Sequence, residues 1–338
     1  MHPDYLVLYY TVGFLALLPL LQLKKEPYTY LGYLLVTSAI AGFIPYLGIT
    51  PVARMQIARD TCRNEFMVLL LCLIVLIKSK ASSELIHKIL AWFGVFSLLV
   101  AIGSHLFGGE AFNGLTLNPR MHGILNVALI PFAQTLSSSW MFLSIIINLL
   151  LLYKCESSAT YLSFFAIVFV LVVKTEMSLK RKVLFTSLGS IVFLITGELL
   201  INRFFDDASR FNTYKFFFSE SHNWQSILFG KGPASFFANS IEMQRRLKYF
   251  SDDSVLHAWV WMHSDPLQYL YEFGLVGIAF ITKILIWVSK RLTVAESCCA
   301  ASLLAGCLLH YPFHYPPHLF VIFCLLKLAT NRSDSGFV

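Results

Sequence analysis

The sequence predicts an all-α protein that crosses a membrane about eleven times and carries one long external loop. Of its 338 residues, 57% are hydrophobic and only 13% are charged, which is about half the charged share of an ordinary soluble domain. The apolar residues gather in long runs, and helices satisfy every backbone hydrogen bond along such runs inside a bilayer. This composition excludes a soluble enzyme, a disordered chain and a small disulfide scaffold.

The apolar runs define the predicted helices, since crossing the hydrocarbon of a bilayer takes about 20 mostly apolar residues. The candidate spans are, in order, Tyr5–Leu23, Tyr28–Ile49, Phe66–Ile77, Ile86–Phe107, His122–Phe132, Trp140–Tyr153, Tyr161–Val173, Val183–Ile201, Leu267–Val288, Ser297–Leu309 and His318–Leu328. The run Phe66–Ile77 also suits a re-entrant segment, because it is short. The first run lacks a basic leader and a small-residue cleavage site, so we interpret it as a span.

Lysines and arginines in the short loops set the predicted orientation, because cytoplasmic loops are enriched in them. Loops of one parity carry Lys24, Lys25, Lys78, Lys80, Lys88, Lys174, Lys180, Arg181, Lys182, Lys290, Arg291 and Arg332. We expect these loops in the cytoplasm, with the amino terminus outside and the carboxyl terminus inside. The hydrophilic segment Asn202–Asp265, in which basic and acidic residues balance, is then the external loop of a single transmembrane domain, residues 1–338.

The short outward loop Pro51–Glu65 departs from this pattern, since it carries Arg54, Arg59 and Arg63. Either the span count is wrong by one or the segment is an interfacial amphipathic helix. The alternative is that its arginines meet an anionic lipid-linked substrate. We favour the first two explanations, because short outward loops seldom carry three arginines.

Neither the cysteines nor the histidines form a recognisable metal site. The cysteines lie in or beside predicted spans, as small packing residues do: Cys62, Cys72, Cys155, Cys298, Cys299, Cys307 and Cys324. His310, His314 and His318 recur at the spacing of one helix face, but three prolines stand between them and interrupt any helix. We predict a polar cluster at an outer helix junction, with His310 at most lining the active-site cavity.

The string that begins at His263 reads H-S-D-P-L-Q-Y-L-Y-E-F-G-L-V-G. Asp265 suits a helix N-cap, Pro266 suits the first helical position, and Gln268 could close a capping box. His263 is therefore expected at the outer membrane surface, beside a helix end that favours anions. Glu272 falls one to two turns inside the span, where a charge is costly without a partner.

A purely structural interpretation of this string competes with a functional one. It makes His263 an interfacial polar residue and Glu272 a member of an ion pair. Gly274 and Gly277 then leave a smooth helix face for close packing. This interpretation is the commoner one at each position taken alone, but the ordered combination favours an active site.

The string HSDPLQYLYEFGLVGIAF resembles the signature of the O-antigen ligase and polymerase family of bacterial membrane glycosyltransferases. In that family a histidine, often followed by Asn or Ser and Asp, precedes a Leu, a Glu and two glycines. Arg210–Tyr214 followed by Ile227–Phe236 is similar to the family's arginine and its fGxGpxxF segment. Leu309–Leu319 is similar to its H-x-x-x-D-x-P-L-x-x-P stretch, so the resemblance is most specific from about Arg210 to Leu319, roughly a third of the chain.

The resemblance implies a GT-C-like helical architecture and a metal-independent glycosyltransferase without a cofactor. Such enzymes take a glycan from undecaprenyl diphosphate at the external face of the bacterial inner membrane and give it to a hydroxyl acceptor. The acceptor is a lipid A core sugar for ligases, a lipid-linked glycan for polymerases and a protein Ser or Thr in a third branch. We expect a saccharide acceptor and no nucleic acid as partner. A glycan flippase or transporter, or a protein O-oligosaccharyltransferase of the same family, is the alternative.

His263 is the expected catalytic base, because an imidazole can take a proton from an acceptor hydroxyl near neutral pH. His257 is the rival base, but it lacks the downstream L-Q…E-x-x-x-x-G pattern. Three further residues are expected to support the site: Asp265, Glu272 and His310.

Arginines in the external loop are expected to bind the donor's diphosphate, since guanidinium groups clamp phosphates and stabilise the charge of the leaving group. Arg210 is the first choice, with Arg245 or Arg246 as the second clamp. The string Gly230–Gly232 lacks the spacing and the preceding strand of a phosphate-binding loop, so it predicts a tight turn. Polar residues concentrated outside the spans favour surface chemistry over transport.

Overall fold

The computed structural model of the chain describes residues 81–108, 119–155, 157–176, 224–232, 264–310, 312–314 and 316–334, with a few single positions between them. Every regular element within these residues is a helix, as the sequence predicts. The predicted spans Tyr5–Leu23, Tyr28–Ile49 and Phe66–Ile77 lie outside the described residues, and Val183–Ile201 lies almost wholly outside them.

Eight α-helices form the described part of the chain. They are α1 (Ser83–Gly108), α2 (Pro119–Leu129), α3 (Ser138–Cys155), α4 (Ser158–Lys174), α5 (Trp224–Phe229), α6 (Asp265–Ser289), α7 (Val294–Leu309) and α8 (Pro316–Asp334). Short 3-10 helices follow α2 at Ile130–Thr135 and α7 at Pro312–His314. Helices α1, α3, α4, α6, α7 and α8 coincide with predicted spans to within a turn or two.

The predicted span His122–Phe132 is helical throughout, but it changes from an α-helix to a 3-10 helix. Helix α2 ends at Leu129, and the chain continues as the 3-10 helix Ile130–Thr135, which has a proline in its first turn. Pro131 has no backbone N–H to donate and its ring crowds the preceding turn, so it ends the α-helical hydrogen-bond pattern.

Two of these helices are long and apolar enough to cross a membrane. They are Ser83–Gly103 within α1 and Asp265–Ser289, which is all of α6. Shorter apolar helices cover Ser138–Asn148, Ser158–Lys174 and Val294–Leu309.

The chain divides into two compact units. One comprises residues 1–71 and 209–287, and the other comprises residues 72–208 and 288–338. The first unit holds α5 and nearly all of α6, while the second holds the remaining described helices.

Close contact among α2, α4 and α7 forms the core of the second unit. A Cβ added to Gly306 of α7 would lie 2.8 Å from Cγ2 of Ile124 and 3.1 Å from Oγ of Ser163. The Ser163 hydroxyl donates to the carbonyl of Ser302 over 2.9 Å. Small residues at helix crossings let backbones approach closely inside a bilayer, so Gly306 is a packing residue on which this core depends.

One end of the second unit, the basic end, gathers Lys174, Arg291 and Arg332 from three loops predicted to share a side of the membrane. The Lys174 ammonium donates to the Ser297 hydroxyl over 2.7 Å. The Arg332 guanidinium donates to the carbonyl of Arg291 over 2.5 Å. These contacts confirm within the second unit that the three loops lie at one end.

A buried carboxylate ties the helices together at the basic end. Glu296 is fully buried, and Arg332 binds it with two nitrogens over 2.5 and 2.6 Å. The imidazole of His87 lies 2.6 Å from the same carboxylate, and the hydroxyl of Thr293 caps the helix that begins here. The hydrogen bond to Glu296 raises the pKa of Arg332, so its side chain stays a cation.

The opposite end of the second unit joins residues from loops predicted to share the other side. The Thr160 hydroxyl donates to the carbonyl of Arg120 over 3.4 Å. The His318 imidazole donates from Nε2 to the carbonyl of Met121 over 3.1 Å. The starts of α2, α4 and α8 therefore lie at the same end of the second unit. This agrees with the predicted alternation, in which successive loops lie on opposite sides.

Candidate functional site

The start of α6 carries a buried polar face on a mostly apolar helix. Ser264, Asp265, Gln268 and Glu272 are all buried, and positions 265, 268 and 272 share one helix face by their spacing. Burying ionisable groups in an apolar setting is costly, and inside membranes such groups mark functional positions. The predicted supporting residues Asp265 and Glu272 thus lie, together with Gln268, on one buried face of α6.

The cap of α6 lies one residue earlier than the sequence suggests. The first helical hydrogen bond runs from the amide of Gln268 to the carbonyl of Ser264, so Ser264 occupies the N-cap position and Asp265 the first helical position. The Gln268 side chain donates forward to Glu272 Oε1 over 3.2 Å. The predicted N-cap was therefore wrong by one residue, and the Gln268 amide supports Glu272.

The helix is broken at Gly274, where the sequence suggested a smooth packing face. Gly274 has φ 64° and ψ −168° inside α6, a conformation that is essentially restricted to glycine. A Cβ at this position would lie 2.4 Å from the carbonyl oxygen of Leu228 and 2.5 Å from the amide nitrogen of Gly230. The glycine is thus required because another stretch of backbone fills the space of its side chain.

The string Gly230–Gly232 forms the turn that fills this break. Both glycines have positive φ, 76° and 98°, which suits a tight turn as predicted. The amide of Lys231 donates to the carbonyl of Tyr271, and that of Gly232 donates to the carbonyl of Glu272, each over 2.9 Å. The turn therefore satisfies two carbonyls that the break in α6 removes from the helical pattern.

Aromatic rings surround the side of α6 next to the turn. Phe217, Phe236 and Tyr271 form a buried cluster, in which the Phe236 and Tyr271 rings meet edge to face at 6.0 Å. The Lys231 ammonium lies 5.0 Å from the centroid of Tyr271, within range of a cation–π interaction. Sequence reasoning missed Tyr271 and Lys231, although both stand in the strings that carry the family resemblance.

The remaining predicted site residues belong to the other unit or lie outside the described residues. His310 belongs to the other unit, where it is buried just after α7 and its amide donates to the carbonyl of Gly306. The expected base and its rival, and all three expected phosphate clamps, lie outside the described residues: His263, His257, Arg210, Arg245 and Arg246.

The histidines near the end of the chain do not share one helix, as the prolines predict. Helix α7 ends at Leu309, and α8 begins only at Pro316. Within the part of the chain that the structure describes, no three His, Cys, Asp or Glu side chains lie close enough to hold a metal ion.

A second buried polar cluster lies in the second unit and was missed by the sequence reasoning. Ser97, His122 and Asn126 are buried, and the Asn126 amide lies 2.7 Å from Nε2 of His122. The Ser97 hydroxyl lies 3.4 Å from Nδ1 of the same ring. Polar residues within apolar runs are the signal that would have found this cluster.

Chemically, the start of α6 offers two buried carboxylates, Asp265 and Glu272, and the buried amide of Gln268, within nine residues of a histidine in the sequence. The Glu272 carboxylate accepts a hydrogen bond from Gln268, which holds it in one position on the helix. A fixed carboxylate can orient a neighbouring imidazole or guanidinium. Comparisons of the chain with protein-family models, with curated proteins and with solved structures gave no match.

Proposed function

We propose that the chain is a glycosyltransferase of the bacterial inner membrane that acts at the periplasmic face. It transfers a glycan from undecaprenyl diphosphate to a saccharide hydroxyl, in the assembly of O-antigen or a related surface polysaccharide. The observation that carries the proposal is the contact between two strings that resemble one family. Ile227–Phe236 and the start of α6 are far apart in sequence, yet Lys231 and Gly232 bind the carbonyls of Tyr271 and Glu272.

This contact supports the proposal because a chance resemblance in two strings gives no reason for them to meet in space. The glycines that define the fGxGp string are the residues whose conformation the contact requires, at Gly230 and Gly232. Gly274, the first glycine after the family's Glu, is required by the same contact. Two of the strings that carry the resemblance therefore form one local structure.

The helices support a membrane location and an orientation for the site. Helices α1 and α6 are long and apolar enough to span a bilayer. Lys174, Arg291 and Arg332 meet at the basic end, which is the cytoplasmic end by the enrichment of Lys and Arg in cytoplasmic loops. Arg291 follows α6 within two residues of its end, which supports a periplasmic position for the Asp265 end of α6.

The proposed reaction is a displacement at the anomeric carbon of the donor sugar. The acceptor oxygen forms the new glycosidic bond while the bond from the anomeric carbon to the diphosphate oxygen breaks, and undecaprenyl diphosphate leaves. His263 takes the acceptor proton, and Arg210 with Arg245 or Arg246 stabilises the diphosphate charge. Asp265, Glu272 and Gln268 position the base, which precedes Ser264 in the sequence.

The glycan phenotype of a deletion strain of the source bacterium tests the proposal. Single-repeat chains indicate a polymerase, whereas lipid-linked polymer beside an unmodified core indicates a ligase. Complementation with the wild-type gene restores the polysaccharide, while Arg210→Ala and His263→Ala do not restore it although both proteins insert. Normal-length polysaccharide in either variant contradicts the assignment of that residue.

A translocation assay separates transfer from transport. The proposal expects lipid-linked glycan to reach the periplasmic face in the His263→Ala strain and to accumulate there unused. If His263→Ala blocks translocation and leaves glycan assembly intact, the chain is a flippase and the proposed reaction is wrong.

A further inference from the structure

Helix α5 presents an apolar surface to its surroundings. Its sequence is W-Q-S-I-L-F, and none of its residues is buried. Trp224 is 65% exposed, and Ile227, Leu228 and Phe229 are also exposed. A large apolar patch on one short helix marks a surface that binds a partner or a membrane.

The position of α5 along α6 is fixed by the turn that follows it. Gly230 begins this turn, and its amide donates to the carbonyl of Ser226 in α5. The next two amides bind the carbonyls of Tyr271 and Glu272, and a Cβ at Gly230 would lie 2.2 Å from the latter oxygen. The carboxyl end of α5 therefore lies beside positions 271–274 of α6.

This part of α6 falls at the boundary of the bilayer hydrocarbon. Helix α6 ends at Ser289, and the charged residues Lys290 and Arg291 follow it. Crossing the hydrocarbon takes about 20 residues, so a count back from Val288 puts the far boundary close to Tyr269. Tyr271 thus lies in the zone where aromatic residues are enriched and where interfacial helices lie about 5–10 Å deep.

We propose that α5 is an interfacial membrane anchor, with the acyl chains and headgroups of the lipid leaflet at the Asp265 end of α6 as its partner. The depth fixed by the turn and the exposed Trp, Ile, Leu and Phe side chains carry this inference. Lys231, three residues after Leu228, supplies a cation at headgroup level. The anchor holds the turn, and with it the break in α6, at the membrane surface. The inference rests on α6 spanning the membrane and is independent of glycan transfer.

Fluorescence quenching by brominated phospholipids tests the anchor. The full chain is reconstituted into phosphatidylcholine and phosphatidylglycerol vesicles brominated at the 6,7 or the 11,12 acyl positions. The emission of Trp224 is obtained as wild type minus Trp224→Phe. Its matched control is Trp92, which is 51% exposed within the candidate span Ser83–Gly103, obtained from Trp92→Phe in the same way.

The anchor predicts that the 6,7-brominated lipid quenches Trp224 at least twofold, that the 11,12-brominated lipid quenches it less, and that aqueous iodide leaves it nearly unchanged. Quenching of Trp92 by either lipid shows that the chain is inserted. Iodide quenching of Trp224 without lipid quenching, while Trp92 is quenched by lipid, overturns the anchor alone. If lipid quenches neither, the chain does not lie in the bilayer, and the anchor fails together with the membrane location. This experiment does not measure glycan transfer, so a failure of the proposed function would not change its result.

Discussion

Replacing Gly230 with alanine should open the contact between the turn and the broken helix α6. The new Cβ would lie 2.2 Å from the carbonyl oxygen of Glu272, far inside van der Waals contact. Gly230 also has φ 76°, where a side chain costs roughly 1–2 kcal/mol. Because this oxygen is backbone, no side-chain rotation relieves the clash.

The size of the effect follows from the bonds that must break. Opening the contact removes the hydrogen bonds from Lys231 and Gly232 to α6, each worth about 1 kcal/mol net. The strain is relieved once the contact opens, so the local loss is about 2 kcal/mol from the two bonds, which corresponds to roughly 30-fold faster exchange of these two amides by local opening. Gly274→Ala closes the same space from the other side, so the double variant should cost little more than either single variant.

Amide hydrogen exchange with mass spectrometry over peptides that contain residues 224–232 measures this effect. Gly103→Ala is the matched control, because a Cβ there meets no atom within 4 Å and alanine favours a helix. Equal exchange of the Lys231 and Gly232 amides in wild type and Gly230→Ala would refute the contact. If the effects of Gly230→Ala and Gly274→Ala on amide exchange add fully in the double variant, the two glycines do not belong to one contact.

Three further substitutions test other contacts. Arg332→Ala leaves the buried carboxylate of Glu296 with His87 and the amide of Thr293 but without its cation, and should cost about 3–5 kcal/mol, seen as a lower midpoint of thermal unfolding in detergent. Gly306→Ala places a Cβ 2.8 Å from Ile124 and should cost about 1–3 kcal/mol by overpacking, measured by the same unfolding. Glu272→Gln keeps the size of the side chain but removes the charge that Gln268 binds, and should lower the rate of glycan transfer by roughly 10-fold or more with unchanged unfolding.

Matched substitutions separate these effects from general damage. Lys88→Ala removes an ion pair between two exposed side chains, so it should leave the midpoint unchanged. Equal midpoints for Arg332→Ala and Lys88→Ala would contradict the role of the buried carboxylate. An unshifted midpoint for Gly306→Ala would contradict the close crossing of α7, and wild-type transfer by Glu272→Gln would remove that residue from the site.

The helices were predictable because hydropathy and length decide them. Apolar runs such as Tyr161–Val173 had one way to satisfy their backbone, and Ser158–Lys174 is the helix observed. The grouping of Lys174 with Arg332 followed equally directly, since alternating helices return every second loop to the same end. Pro131 marks the point at which the His122–Phe132 run changes from an α-helix to a 3-10 helix.

The break at Gly274 was not predictable from its own neighbourhood. A glycine within a helical sequence pattern usually indicates close helix packing. The structure shows instead that the backbone of Leu228 and Gly230 occupies the space where a side chain of residue 274 would lie. The Asp265 cap was wrong by one residue because Ser264 is an equally good cap. The local preference was correct, while the exact position depends on contacts that are distant in sequence.

Two supporting residues of the site, Asp265 and Glu272, were predictable from the sequence because of their charge. Asp265 and Glu272 stood out as charges in an apolar run, and the structure brings both into one buried face with Gln268. The role of Tyr271 could not be predicted from the sequence, since an aromatic residue in a membrane helix has many ordinary roles. Its ring gains significance only from Lys231, which approaches it through the turn.

The most direct test of the central claim is the release of undecaprenyl diphosphate by the purified full chain in vesicles. The vesicles contain an undecaprenyl-diphosphate-linked glycan and a saccharide acceptor, and both the released lipid and the new glycosidic bond are counted. The account predicts one undecaprenyl diphosphate for each bond formed by the wild type and by His257→Ala. It predicts background levels for His263→Ala and Arg210→Ala. Wild-type release by His263→Ala, or movement of the lipid-linked glycan across the vesicle membrane without any bond formed, would contradict it.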